Sequence, residues 1–304
     1  MGESKRHHYL PRFYLEGFAG EGGRLWVFDR QTKGLRRDRP TNTAVITHYY
    51  TAESADGKKN THIERGLSEV EAVASRIIAK MDRDELITQS EKEELSLFVG
   101  LLFGRVPKFE RAVQDFLGSI IKRVTQVTFS DRKRAAELIR QLEEETGKLS
   151  RITPEEIVDW VRADGFRVKM HRNASLQAMG EVGIELSRHL SAMNWLLVRA
   201  PEDHPSVTSD APFALLPPLN LGQPLGIGIG VTTPGATKLI PLTKRIALLI
   251  GDPGPIFAKR KATIEQVSAI NAAVACNSFR LVVGPDEDVV RRVIDATMID
   301  RVDP

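Results

Sequence analysis

Between Thr61 and Leu190 apolar residues recur at spacings of three and four, and on both sides the pattern reverts to short runs of β-forming residues. That change of period most constrains the fold, because a stripe repeating every 3.6 residues must be buried as a helix and cannot stay in a sheet. Ile63, Leu67, Val70, Ala74, Ile77, Ile78 and Met81 define one amphipathic helix, and Leu95, Phe98, Val99, Leu101 and Leu102 the inward face of a second. Ser90 with Glu93 predicts a capping box for the second helix, which should end near Arg105-Val106-Pro107. Phe109 to Val127 continues helical, and Ser130 is expected to cap a charged helix stopping at Gly147. Thr153-Pro154-Glu155-Glu156 opens another that stops at Gly165, and a last one spans about Ala174 to Leu190.

The flanks read as β structure. Arg24-Leu-Trp-Val-Phe-Asp29 is a strand, Lys33-Gly34 a turn and Leu35 to Arg39 the return, with Arg36, Arg37 and Arg39 forming a solvated basic edge. Ala44 to Tyr50 is extended, with Tyr49-Tyr50 expected to pack on this hairpin. Asn194 to Arg199 and Ser206 to Ser209 are further strands, and Lys238 to Pro241 pairs with Arg245 to Gly251. Residues 214–236 are expected to be a loop. Its Gly226, Gly228 and Gly230 lack dinucleotide-fingerprint spacing. Thr263 and Gln266 open a closing helix, followed by a strand at Leu281-Val-Val. The expected fold class is α+β. N-terminal and C-terminal β regions join one mixed or antiparallel sheet, and a large central helical block lies between them. Residues 1–304 are read as a single compact unit with sub-regions 1–55, 56–192 and 193–304.

Composition narrows the partners. The 43 Lys and Arg against 40 Asp and Glu give +3, so no global field demands nucleic acid and any anion site must be local. A single cysteine, Cys276, rules out an intramolecular disulfide, and no run approaches the ~18 apolar residues of a membrane span. A cytoplasmic location without membrane attachment is expected. No His-Glu-x-x-His, Gly-x-Ser-x-Gly, P-loop or Cys-x-x-Cys pattern is present.

The chemically richest stretch is His7-His8-Tyr9-Leu10-Pro11-Arg12-Phe13-Tyr14-Leu15-Glu16-Gly17-Phe18. Pro11 should hold Leu10 extended and open a short helix ending near Gly17 or Gly20, leaving His8 just upstream of its N-terminus. A neutral imidazole there can serve as a base or metal ligand. Asn271 falls among Ile264, Val267, Ile270 and Val274, so its amide is expected to face inward. There it would bond a neighbouring backbone or orient a site residue.

Several short motifs together resemble the domain of unknown function 4238 family. They are His8-Tyr9-x-Pro11-x-x-Tyr14-Leu15-x-x-Phe18, Leu25 to Phe28, Arg105-Val106-Pro107, Trp195, Ser209-Asp210-Ala211-Pro212, Pro241-Leu242-Thr243 and Ile270-Asn271. Ala211 departs from the polar residue expected before Pro212. The resemblance implies no established activity.

Family motifs and residue chemistry converge on His8, Arg12, Tyr14, Asp210 and Asn271 as candidate site residues. If they meet, the expected function is a hydrolase or nuclease-like enzyme acting on a phosphate-bearing small molecule or nucleic acid. His8 would be general base or metal ligand, Arg12 a bidentate anion clamp, Tyr14 a hydrogen-bond donor, and Asp210 a partner of His8 or a carboxylate ligand of a divalent metal. Asn271 would orient the site. The structural alternative is that His8 bonds backbone, Tyr14 and Phe18 are core, and Asp210 holds a turn. The protein would then be a non-catalytic binding module for a protein or nucleic-acid partner.

Overall fold

The computed structural model describes residues 6–47, 49, 52–53, 59–60, 62–168, 172–218 and 229–299. The chain opens with β1 (Arg6–His8) and the five-residue α1 (Arg12–Glu16). A hairpin of β2 (Leu25–Asp29) and β3 (Gly34–Asp38) follows, then β4 (Val45–Thr47), β5 (Ala52–Glu53) and β6 (Lys59–Asn60). The helical block comprises α2 (His62–Asp82), α3 (Gln89–Gly104), α4 (Pro107–Thr128), α5 (Arg132–Thr146), α6 (Pro154–Arg162) and α7 (Arg172–Ser191). The remainder alternates: β7 (Met193–Arg199), β8 (Thr208–Ser209), β9 (Ala214–Leu216), β10 (Thr237–Pro241), β11 (Ile246–Pro253), β12 (Phe257–Lys261), α8 (Ile264–Cys276), β13 (Leu281–Gly284) and α9 (Glu287–Thr297).

The α+β class with a central helical block is what the change of period predicts. The expected single sheet is not formed: the strands divide into separate sheets. Strands from both ends of the chain do share an antiparallel four-stranded sheet, in the order β3-β2-β13-β8. A separate five-stranded sheet, β12-β7-β11-β10-β9, is built wholly from the C-terminal part and is mixed, because β12 runs parallel to β7. Two-stranded ribbons β1-β4 and β5-β6 complete the described pairings. Asn271 limits the length of β8. Its side chain accepts from Val207 N at 2.9 Å and donates to Pro205 O at 3.1 Å, occupying backbone groups that a longer β8 would need for pairing.

One face of each sheet meets a common core. Leu25, Val27 and Val283 from the first sheet, and Trp195, Leu248 and Ile250 from the second, pack with α1, α2, α3 and α7 through Tyr14, Phe18, Ile77, Phe98 and Leu190. The opposite faces are covered separately. α9 lays Val290 and Val293 against Phe28 and Val282, and α8 lays Val267, Ile270 and Val274 against Val198, Leu239 and Ala247.

The described residues fall into two compact units, 1–110 with 176–304, and 111–175. In the smaller one α5 packs on α6, Arg162 donates to Ser130 O at 3.0 Å, Lys122 pairs with Asp164, and Trp160 stacks obliquely on Phe166.

Several element ends differ from expectation for local reasons. α3 is capped by Thr88 with Glu91, not Ser90 with Glu93, and Glu91 is also held by Lys80 at 2.8 Å. Asp131, not Ser130, caps α5, and α6 ends at Arg162 short of Gly165. Pro11 is the N-cap of α1 with ψ 142°, one position before the first helical residue. β9 lies inside the expected loop, and β1, β12 and α9 add to the expected elements. Tyr49 packs on Tyr9, with ring centroids 6.0 Å apart. Tyr50, Gly226 and Gly228 lie outside the described residues.

Candidate functional site

The opening motif is pinned from three directions. β1 pairs with β4, placing His8 opposite Val45, and Tyr9 N donates to Ala44 O at 3.0 Å. Arg105, buried at the end of α3, donates from Nε to Tyr9 O at 2.7 Å and from Nη2 to His8 O at 3.4 Å. Its Nη1 pairs with Glu71 on α2 at 2.7 Å. Tyr14, on α1, reaches the C-terminal part: its hydroxyl donates to Pro241 O at 2.7 Å and meets Thr208 Oγ1 at 2.8 Å.

His8 and Arg12 line one open cavity of about 330 Å³ with Arg6, His7, Glu64 and Glu71. His7 Nε2 stands 4.0 Å from Glu64. Burial lowers the His8 pKa, against opposing hydrogen bonds to the backbone of Pro40 and Thr41, so its ring is neutral near pH 7. Arg12 is exposed and pairs with Glu16 at 2.7 Å along its own helix. A helix of five residues offers no substantial dipole, so the anion preference expected at its start has little to act through.

Asp210 lines a different cavity, of about 260 Å³, with Tyr9, Asp29, Arg36, Asn42 and Arg280. Its carboxylate accepts the N–H groups of Phe279 at 2.9 Å and Arg280 at 2.8 Å, holding the turn that leads into β13. Burial pushes the Asp210 carboxyl up to about 6, against the lowering effect of those donors. Facing it across the sheet, Asp29 ends β2. Arg280 donates to Asp29 from Nε at 2.9 Å and from Nη2 at 2.7 Å, and Arg36 of β3 lies 3.8 Å from the same carboxylate. Burial pushes Asp29 up, but its bonds to Arg280 and the nearby guanidinium charge hold it below the usual carboxylate range. Burial also raises the Tyr9 hydroxyl, which stays protonated.

The five expected site residues therefore do not converge. His8 and Arg12 share one cavity, Asp210 lines another, and Asn271 borders a third of about 150 Å³ between α8 and α9. The Tyr14 hydroxyl is in the core. No group of three or more His, Cys, Asp and Glu among the described residues is arranged to hold a metal ion, and His8 and Asp210 line different cavities.

The motif residues share a physical role instead: Arg105, Tyr14, Asp210 and Asn271 all bind main-chain groups distant in sequence. Trp195 does the same over a short range, donating to Leu190 O at 2.8 Å. Asp29, Arg36 and Arg280 are the residues that sequence reasoning missed. The one available signal was the basic run at 36–39, read there as a solvated edge. β3 is indeed an edge strand, but Arg36 turns toward Asp29.

No helix among the described residues is long and apolar enough to cross a membrane. No curated protein and no solved structure matches the chain. Residues 6–288 match the family model described as protein of unknown function (DUF4238), and the chain belongs to that family.

Proposed function

We propose, taking membership of that family as the premise, that the protein binds a small phosphate- or carboxylate-bearing ligand in the cavity beside Tyr9. The guanidinium groups of Arg36 and Arg280 are the anion ligands. One observation carries this reading: both arginines lean on the single carboxylate of Asp29, while 46% of the Arg36 side chain and 48% of the Arg280 side chain remain exposed. Asp29 thus fixes the Arg280 fork from both Nε and Nη2, while Arg36 is shared between Asp29 and Asp38, whose Oδ2 lies 3.4 Å from its Nε. A planar guanidinium held in place loses little freedom when it accepts a bidentate oxyanion.

The reading is one of binding rather than hydrolysis. Tyr14, Asp210 and Asn271 already use their polar atoms on the chain itself, and the general base expected at His8 lies in a separate cavity. At about 260 Å³ the cavity suits a small anion or the charged end of a larger ligand.

Titration calorimetry with inorganic phosphate, sulfate and acetate tests it, on the wild type and on Arg36→Glu. Arg36 is exposed on an edge strand, so the variant should fold, which circular dichroism checks. Saturable binding that falls at least ~10-fold in the variant and weakens with added salt is expected. Absence of binding to all three anions, or binding indifferent to the substitution, overturns the proposal.

A further inference from the structure

We infer, resting on the anion site just proposed, that an anion held by Arg36 and Arg280 is bound together with a proton on Asp210, so that affinity rises as pH falls. Asp210 lines the same cavity, is almost wholly buried, and accepts the backbone N–H of Arg280 itself. It is therefore fixed beside an anion ligand and cannot swing away when a second negative charge arrives.

The charged and titratable groups around it come from every neighbouring element. They are Tyr9 after β1, Asp29 on β2, Arg36 on β3 with its partner Asp38, Lys108 at the start of α4, and Arg280 before β13. Lys108 does not line the cavity; its Nζ donates to Asn277 O at 2.8 Å and Oδ1 at 2.6 Å. Among the lining groups two guanidinium cations face two carboxylates, so the wall is neutral while Asp210 is ionised. An entering anion would leave this partly buried site net negative, and a proton on Asp210 removes that excess. Its carboxyl, already raised to about 6 by burial, places that proton within ordinary pH.

The sign follows from linkage. An anion raises the Asp210 pKa further, so binding takes up a proton between the free value of about 6 and the higher bound value. Affinity is therefore greatest below the free value and declines as pH rises through that window. Tyr9 stays protonated throughout, and His8, whose pKa is lowered by burial, lines the other cavity.

Sulfate is the suitable probe, because its charge is constant over this range. Calorimetry at constant ionic strength, in buffers of different ionisation enthalpy, should show affinity falling about 10-fold or more from pH ~5 to pH ~8. Net proton uptake should appear near pH ~7 and vanish in Asp210→Asn. That variant faces a backbone N–H with an amide donor and can lose the fold, so carbon NMR of the Asp210 carboxyl in the wild type supplies a second reading. Its titration midpoint should move up when sulfate is added. Sulfate binding with no proton uptake and an unmoved midpoint overturns the inference while leaving the anion site standing. Uptake that persists in Asp210→Asn assigns the proton elsewhere and also overturns it. No sulfate binding at any pH overturns the anion site and this inference with it.

Discussion

Replacing Arg105 by Met would keep most of the side-chain volume and delete the cation that clamps the opening motif. The side chain is 2% exposed, and its acceptors include Tyr9 O, His8 O and the Glu71 carboxylate. Its removal strands a quarter-exposed carboxylate and two main-chain carbonyls. Breaking a buried ion pair by removing one partner costs about 3–5 kcal/mol. Water can reach Glu71, which favours the lower end, so we expect a loss of about 3 kcal/mol. Urea denaturation followed by circular dichroism measures it as a lower midpoint at unchanged slope. Hydrogen exchange adds the location, because Tyr9 N–H, bonded to Ala44 O, should lose protection before the strands of the five-stranded sheet. Arg105→Lys supplies one point charge where a fork served several acceptors and should recover less than half of the loss. A loss under ~1 kcal/mol for Arg105→Met, or unchanged exchange at Tyr9, would refute the clamp.

Tyr14→Phe removes a hydroxyl that serves two buried partners and should destabilise by about 1–3 kcal/mol in the same denaturation assay, with sulfate affinity unchanged. An affinity loss at full stability would instead make Tyr14 a ligand group. Gly20→Ala places a Cβ 1.9 Å from the main-chain oxygen of Pro285, so the turn after α1 and the approach to α9 must part, at a cost of about 2 kcal/mol or more. Gly66→Ala is its control: nothing lies within 4 Å on α2, and the helix should gain about 0.5–1 kcal/mol in thermal or urea unfolding.

What could be read from sequence was what local chemistry decides. The block from α2 to α7 announces itself by period, and Thr153-Pro154 with Glu156, or Thr263 with Gln266, caps where its pattern says. At α3 two overlapping patterns competed, Thr88 with Glu91 and Ser90 with Glu93, and a contact from Lys80 on another helix accompanies the first. The inward face of Asn271 was legible as well, together with a backbone partner for its amide. The division into separate sheets was not, since it depends on which strand each short run finds. Nor was the cavity. Asp29 and Arg280 stand 251 residues apart, and nothing near either residue marks it as half of a pair. His8 and Asp210 looked complementary by chemistry, but each was already committed to backbone: His8 to Pro40 and Thr41, Asp210 to the turn at Phe279 and Arg280.

The pairing of β2 with β13 also sets a timetable for synthesis. The β2–β3 hairpin is synthesised before the helical block, yet the strand that covers the second edge of β2 is made about 250 residues later. Until then Trp26 and Phe28 lack the α9 face that packs on them, and the free edge of β2 is open to other chains. Closing so long a loop is slow relative to forming the local helices, so a nascent chain carries an unpaired β2 edge throughout synthesis of the helical block. Chains halted before β13 should therefore be the insoluble ones, however well their helices have formed.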